Sequence, residues 1–200
     1  MRRRTAPKVV DGRAQRKNNW ALTPSAYGGL PQISIERERP GEGHRHLLGK
    51  RDIARFLELL PAWDSLSEGL RAIVLARAEP DTAGWSTPGV VAVCAWNRRI
   101  WEWCSRDFYE AHRDVYDRLG LDVERVRDGW GGYLLKWTES QARAYQLLHI
   151  LLHEFGHHHD RITNRSGWQV ARGESYAERY ALEHEALIWD AYLREFGIDR

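Results

Sequence analysis

Hydrophobic positions along this chain change their period several times, and each change marks an element. From Lys50 onward, Ile53, Phe56, Leu57 and Leu60 recur at three- and four-residue intervals, which predicts an amphipathic helix that Pro61 ends. After a connection from Trp63 to Glu68, Leu70, Ala72, Val74 and Ala76 alternate with Arg71, Ile73, Leu75 and Arg77, the pattern of a strand. The stretch Glu79 to Pro88, with Pro80, Gly84 and Pro88, reads as a loop leading to a second apolar run, Val90 to Trp96. Asn97-Arg98 then offers a tight turn into Ile100-Trp101-Glu102-Trp103. The three stretches are expected to form an antiparallel meander whose tryptophans serve packing rather than a groove.

Helical spacing returns at Asp107 to Leu119, with Phe108, Ala111, Val115 and Leu119 inward and Gly120 at the end. His112, among charged neighbours, is expected to face solvent. A glycine-rich turn, Gly129 to Gly132, opens a short strand, Tyr133 to Trp137. The longest amphipathic run follows. Thr138 and Gln141 form a capping box, Glu139 suits the first turn, and Ala142, Tyr145, Leu148, Leu151, Leu152 and Phe155 give a helix from Glu139 to Arg161 a broad apolar side. Gly156 inside it costs about 1 kcal/mol relative to alanine, so close approach by another backbone is expected there. The loop Thr163 to Gly173, carrying Gly167 and Trp168, reverses the chain into a second helix. Ala177 and Ala181 are small enough for that helix to cross Gly156 tightly, and it continues through Leu182, Leu187, Trp189 and Leu193 to a stop near Gly197.

The chemistry is concentrated in His153-Glu154-Phe155-Gly156-His157. Residues four apart on a helix share a face, so His153 and His157 can aim both imidazoles at one metal ion. Glu154 sits beside that face, able to reach a water at the ion but poorly placed to ligate it. This HExxH spacing is that of zinc peptidases, whose glutamate takes the proton of an acidified water. Two histidines do not close such a site, which usually has three protein ligands. Glu174 and Glu178, one turn apart on the second helix, both have the chemistry of a third. His149, one turn before His153, lies too far along the axis to share the ion. His158, His159 and Asp160 turn away from it and read as helix-end residues that favour the dipole when the histidines are protonated. His44 and His46 read as surface histidines.

With its HExGH helix and a Glu-x-x-Ala-acid-x-x-Ala helix after it, the last third of the chain resembles the small single-domain gluzincin peptidases. The resemblance implies Glu174 as third ligand. It implies Glu178, where aspartate is usual, as acceptor from the other nitrogen of His153. It further implies Zn2+ as cofactor, Glu154 as general base, and a protein or peptide substrate. The fold implied is α+β and zincin-like: a small antiparallel or mixed sheet packed on the HExxH helix and a C-terminal glutamate-bearing helix. In such folds an edge strand binds extended substrate, and Tyr133 to Trp137 is the candidate, although the segment reads equally as an interior strand. Tyr176, Tyr180, Arg172 and His184 are available to stabilise an oxyanion, and the sequence does not choose among them.

Composition adds boundaries to this picture. Of 200 residues, 42% are apolar and 29% charged, as expected of one soluble domain. No run reaches a membrane span, and Met1-Arg2-Arg3-Arg4 is not followed by the apolar segment of a secretory signal, so a cytoplasmic location without a membrane partner is expected. Cys94 and Cys104 alone fit a reducing compartment. Arg2, Arg3, Arg4, Lys8, Arg13, Arg16 and Lys17 stand against Asp11, so residues 1–17 carry +6 and the rest, with the total at +2, carries −4. The expected division is a basic disordered tail (1–17), an arm or single strand around Gln32 to Ile35 (18–49), and a catalytic domain (50–200). The tail reads first as a solvated extension, and otherwise as an arm for nucleic acid or another polyanion. Two functions are therefore in view: a zinc-dependent hydrolase, foremost a metallopeptidase, and a nucleic-acid-associated or regulatory protein with a structural or vestigial zinc site. Neither helix-turn-helix nor zinc-finger spacing is visible, which places the second behind the first.

Overall fold

A computed structural model of the chain describes residues 33–126, 131–164 and 172–199, and upstream of them the backbone of two strands, β1 (Val9–Val10) and β2 (Arg13–Ala14), which pair antiparallel. The rest of the expected disordered tail, the arm to residue 32, residues 127–130 of the glycine-rich turn and residues 165–171 with Gly167 and Trp168 lie outside the described residues.

The fold is mixed α+β. Four strands form the main sheet: β3 (Ser34–Arg37), which precedes the short strand β4 (His44–Arg45), then β5 (Ala72–Ala76), β6 (Gly84–Thr87) and β7 (Val90–Cys94), in the order β3-β5-β7-β6. β3, β5 and β7 are parallel and β6 is antiparallel to β7. Two helices, α1 (Lys50–Leu57) and α2 (Trp63–Leu66), occupy the connection from β3 to β5, as a parallel pair requires. The expected meander is thus corrected. Every residue of β5 and β7 is buried, and a parallel strand covered on both faces has no polar face from which its pairing can be read. Ile73, Leu75, Val91 and Val93 enter the main core, while Ala72, Val74, Ala76, Val90, Ala92 and Cys94 form a thinner layer of small side chains with Trp85. β6, expected as loop, is one edge of this sheet, opposite β3.

β8 (Trp96–Asn97) pairs with β4, and β9 (Trp101–Cys104) leaves the main sheet altogether. After α3 (Arg106–Leu119), β10 (Asp122–Val126) and β11 (Gly132–Lys136) join β9 in an antiparallel sheet ordered β10-β11-β9. β11 is central and bonded on both sides, so Tyr133 to Trp137 is interior and offers no free edge. The strand tryptophans divide: Trp96 is buried, whereas Trp101 and Trp103 are 57% and 54% exposed.

Three consecutive segments make the long central helix: α4 (Glu139–Tyr145), a π-helical turn (Gln146–Leu151) and α5 (Leu152–Thr163). The expected capping box opens it. The Gln141 amide donates to Thr138 Oγ1 at 3.2 Å, and the Thr138 amide to Gln141 Oε1 at 2.9 Å. The π turn has no counterpart in the sequence pattern; within it, Gln146 Nε2 donates to the Cys94 carbonyl at 2.8 Å and fastens the helix to the end of β7. α6 (Gly173–Glu195) packs along α5 and the π turn.

Between α3 and α6, Arg118 stands 3.3 Å from Glu185, an ion-pair distance without the alignment of a hydrogen bond, and Glu185 is fully buried. Burial pushes the Glu185 carboxyl up to about 7, against the pull of Arg118. The folded protein therefore keeps a proton that the unfolded chain releases from about pH 4.5, and this group costs stability as pH rises between those values. Glu185→Gln is expected to stabilise the protein at pH 8 by up to about 3 kcal/mol and to change little near pH 4, as read from urea midpoints at the two pH values.

Candidate metal centre

α5 is regular through His153 and His157, so their rings meet edge to face one turn apart, with centroids 4.8 Å from each other. α6 supplies the carboxylates. Glu174 in its first turn lies with Oε2 3.0 Å from His153 Nε2 and Oε1 3.4 Å from His157 Nε2. One ligand atom from each of the three residues lies within 4.8 Å of the others. Glu178, one turn along, accepts from His153 Nδ1 at 3.3 Å. His153 thus faces a carboxylate from each of its ring nitrogens. Burial pulls its pKa down, but the bond to Glu178 and the charges of Glu154 and Glu174 outweigh burial and raise it. His157, whose Nδ1 is buried without a hydrogen-bond partner, is lowered by burial.

This donor set fits a divalent cation of borderline softness. With Nδ1 of His153 held by Glu178, Nε2 is the nitrogen free to ligate, and it already faces Glu174. Glu154 is buried beside the group, its carboxyl pushed up to about 7 by burial, against the charge of His153 and a hydrogen bond from Ser86. β6 passes directly over it: a Cβ on Gly84 would meet Ile150 Cγ2 at 2.7 Å and Glu154 Oε1 at 2.9 Å. Arg161 Nη2 donates to the Ser86 carbonyl at 3.2 Å and ties α5 to the same strand.

The crossing of the ligand helices is as tight as the sequence implied. A Cβ on Gly156 would lie 2.7 Å from Ala177 Cα and 3.0 Å from its carbonyl oxygen. A second fastening went unforeseen. Asp160 is fully buried and accepts from the Arg172 amide at 2.8 Å and from Arg172 Nε at 2.6 Å. Burial raises the Asp160 pKa, and the bonds from Arg172 more than reverse this. Asp160 is thus a buried clasp for the start of α6 rather than an exposed helix end. His158 is likewise buried, its Nε2 bonded to the Glu68 carbonyl at 3.0 Å, and burial lowers its pKa, so it does not serve the dipole as a cation. His159 Nδ1 meets the Tyr176 hydroxyl at 2.6 Å.

The site opens on a cavity of 1290 Å³ bounded by β6, β9, α3 and the central helix. None of the four expected oxyanion donors lines it. Tyr176 is held by His159 and covered by the Arg172 guanidinium, Arg172 by Asp160, and His184 stacks on Tyr180 while donating to its carbonyl at 2.9 Å. The cavity wall near His153 instead carries His149 and His112. His149 Nε2 stands 3.8 Å from Glu178 Oε2, and burial draws the His149 pKa down to about 4. His112 is half-buried rather than solvent-facing; its Nδ1 donates to the Phe108 carbonyl at 2.8 Å and its ring lies 5.5 Å from that of His149. The stripe Phe108, His112, Tyr116, spaced by four, was the available signal. His44, read as a surface residue, also reaches the cavity wall, and His46 is bonded to the Glu38 carbonyl.

Among the described residues no helix is long and apolar enough to cross a membrane. Comparison with protein-family models, with curated proteins and with solved structures returns no match.

Gly156→Ala tests the crossing. The helix propensity gained, about 1 kcal/mol, is smaller than the cost of forcing Ala177 away, so a net loss of about 1–2 kcal/mol in urea unfolding is expected.

Proposed function

We propose that this chain is a zinc-dependent metallopeptidase with a zincin-like fold. One observation carries the reading: the Nε2 atoms of His153 and His157 and the carboxylate of Glu174 converge on an open cavity, with the buried carboxyl of Glu154 beside them. The antiparallel edge strand β6 over α5 supports it, and replaces Tyr133 to Trp137 as the segment whose backbone would pair with an extended substrate.

His153, His157 and Glu174 would hold the ion. Zinc bound there supplies an acidified water and a Lewis acid for the scissile carbonyl. Glu178 keeps His153 in one orientation through Nδ1. Glu154 takes the proton of the attacking water on its carboxylate and hands it to the leaving amine. Before an ion binds, burial raises that carboxyl, the direction that favours holding a proton between the two halves of the exchange. Ser86 orients it by a hydrogen bond from the edge strand. The donor to the developing oxyanion passes to His112 or His149, which share the cavity wall with His153.

Elemental analysis after dialysis is the first test. Wild type is expected to retain about one zinc per chain, and His153→Ala and Glu174→Ala to lose it. Glu154→Gln is expected to keep zinc while lowering peptide turnover at least about a hundredfold. A wild-type protein that takes up no zinc when it is added back, or one that stays active after losing it, overturns the reading.

A further inference from the structure

A second strand edge stands in the wall of the cavity. β9 is an outer strand of the sheet β10-β11-β9, and its residues Glu102, Trp103 and Cys104 line the same cavity as His153, His157 and Glu174. In an antiparallel ladder, alternate residues turn both backbone groups toward the partner strand, and those between turn them away. A Cβ on Gly132 of β11 would lie 2.6 Å from the Cys104 carbonyl oxygen, so Cys104, and with it Glu102, faces β11. The amides and carbonyls of Trp101 and Trp103 therefore point to the open side. Among the described residues none of these four groups has a hydrogen-bond partner.

This edge carries rings where edges usually carry protection. Trp101 and Trp103, two apart, share one face of the strand, and both are more than half exposed. The Trp103 indole is nevertheless seated: a Cβ on Gly132 would strike its Nε1 at 2.8 Å and its Cε2 at 2.9 Å, so glycine leaves the space in which the ring rests. Phe108, 47% exposed and stacked on His112 at 4.3 Å, continues the aromatic lip along the cavity. Strand edges are ordinarily blunted by proline, by a bulge or by a covering segment, and β9 has no proline and an unbroken register with β11. Open backbone groups beside exposed tryptophans are a liability unless something binds them.

An extended peptide laid along β9 satisfies the four groups through its own backbone and sets every second side chain beside Trp101 and Trp103. A second copy of the chain fits less well. The antiparallel self-pairing that uses both tryptophans of each copy places Trp101 opposite Trp103 and therefore Glu102 opposite Glu102, and like charges directly opposite destabilise a strand pair. The edge is also continuous with the candidate metal centre through the cavity that both line, so a peptide held there is within one cleft with the ion site.

We propose that the open edge of β9 binds a segment of the peptide substrate, outside the scissile bond, as an added strand, and that Trp101 and Trp103 select apolar side chains at alternate positions of that segment. That the occupant is a substrate rests on the metallopeptidase reading; the strand addition and the alternation rest on β9 itself.

The test uses the full chain carrying Glu154→Gln, so that peptides are bound and not consumed. The probes are acetyl-Lys-Phe-Thr-Phe-Thr-Lys-amide and its isomer acetyl-Lys-Phe-Phe-Thr-Thr-Lys-amide, which keeps the composition and removes the alternation. By titration calorimetry the alternating peptide is expected to bind about tenfold more tightly, and Trp103→Ser to abolish that advantage. Methylating its two Phe nitrogens blocks one edge of the added strand, and methylating its two Thr nitrogens blocks the other, so one pair is expected to abolish binding and the other to leave it. Equal binding of the isomers, binding of neither, equal effects of the two methylations, or an advantage that survives Trp103→Ser overturns the proposal. Cleavage by the wild type, followed by mass spectrometry, separates the two readings. An alternation advantage with neither peptide cleaved keeps the β9 site and counts against the peptidase, whereas cleavage of both at equal kcat/KM keeps the peptidase and overturns the β9 site.

Discussion

The candidate metal centre depends on how closely α6 can lie across α5. His153 and His157 belong to one helix and Glu174 to the other, so their convergence is a property of the crossing and not of either helix alone. The backbones meet at Gly156, where any Cβ would fall 2.7 Å from Ala177 Cα. Ala177 is three residues past Glu174, so the contact fixes the carboxylate within one helical turn of its position. On the other side of the crossing, Asp160 clasps Arg172 immediately before α6 begins. Contact and clasp together define both the separation and the axial register of the two helices. The helix gives up about 1 kcal/mol of propensity at Gly156, a local rule broken where the global arrangement requires it.

Packing the helices this tightly also separates the roles of the carboxylates. Glu154 and Glu178 are both close to His153, yet their pKa values move in opposite directions. Burial dominates at Glu154, which lies beneath β6, and raises it. At Glu178 the hydrogen bond from His153 dominates and lowers it. One carboxyl is thereby left able to exchange a proton near neutrality while the other stays ionised as a fixed partner. Divergent environments of this kind are how chemically equivalent side chains come to hold different functions.

Much of this arrangement is legible in the amino-acid sequence, for reasons that also explain what is not. The capping box at Thr138, the four-residue spacing of the histidines and the small residues facing Gly156 are short-range patterns, and short-range patterns survive folding unchanged. The π turn leaves no compositional mark, since its longer hydrogen bonds demand no special residue. The parallel pairing of β5 with β7 is hidden because both strands are buried throughout, so alternation carries no information about their neighbours. The oxyanion candidates fail on geometry. Tyr176 is close to Glu174 along the chain, but two residues along a helix amount to roughly half a turn around it, which puts the tyrosine beside His159 instead of over the ion. His112 and Glu102 come from elements distant in sequence and reach the cavity only through tertiary packing.

The edge strand supplies the last constraint. Among the described residues β6 pairs only with β7, and on its outer side the Ser86 carbonyl is taken by Arg161. An open edge is a liability that folds ordinarily cover or blunt with charge. Here it carries Gly84 against Glu154 and Ser86 in a hydrogen bond to the same carboxyl, so the strand is shaped around the HExxH helix at two successive inward positions. A pair of helix histidines arising by accident has no physical reason to lie beneath an edge strand, nor has that strand a reason to give up a side chain where the intervening glutamate needs room. Edge, glycine and carboxyl are together compatible with the proposed reading, in which an extended chain would be held along β6 with its carbonyl over the histidines.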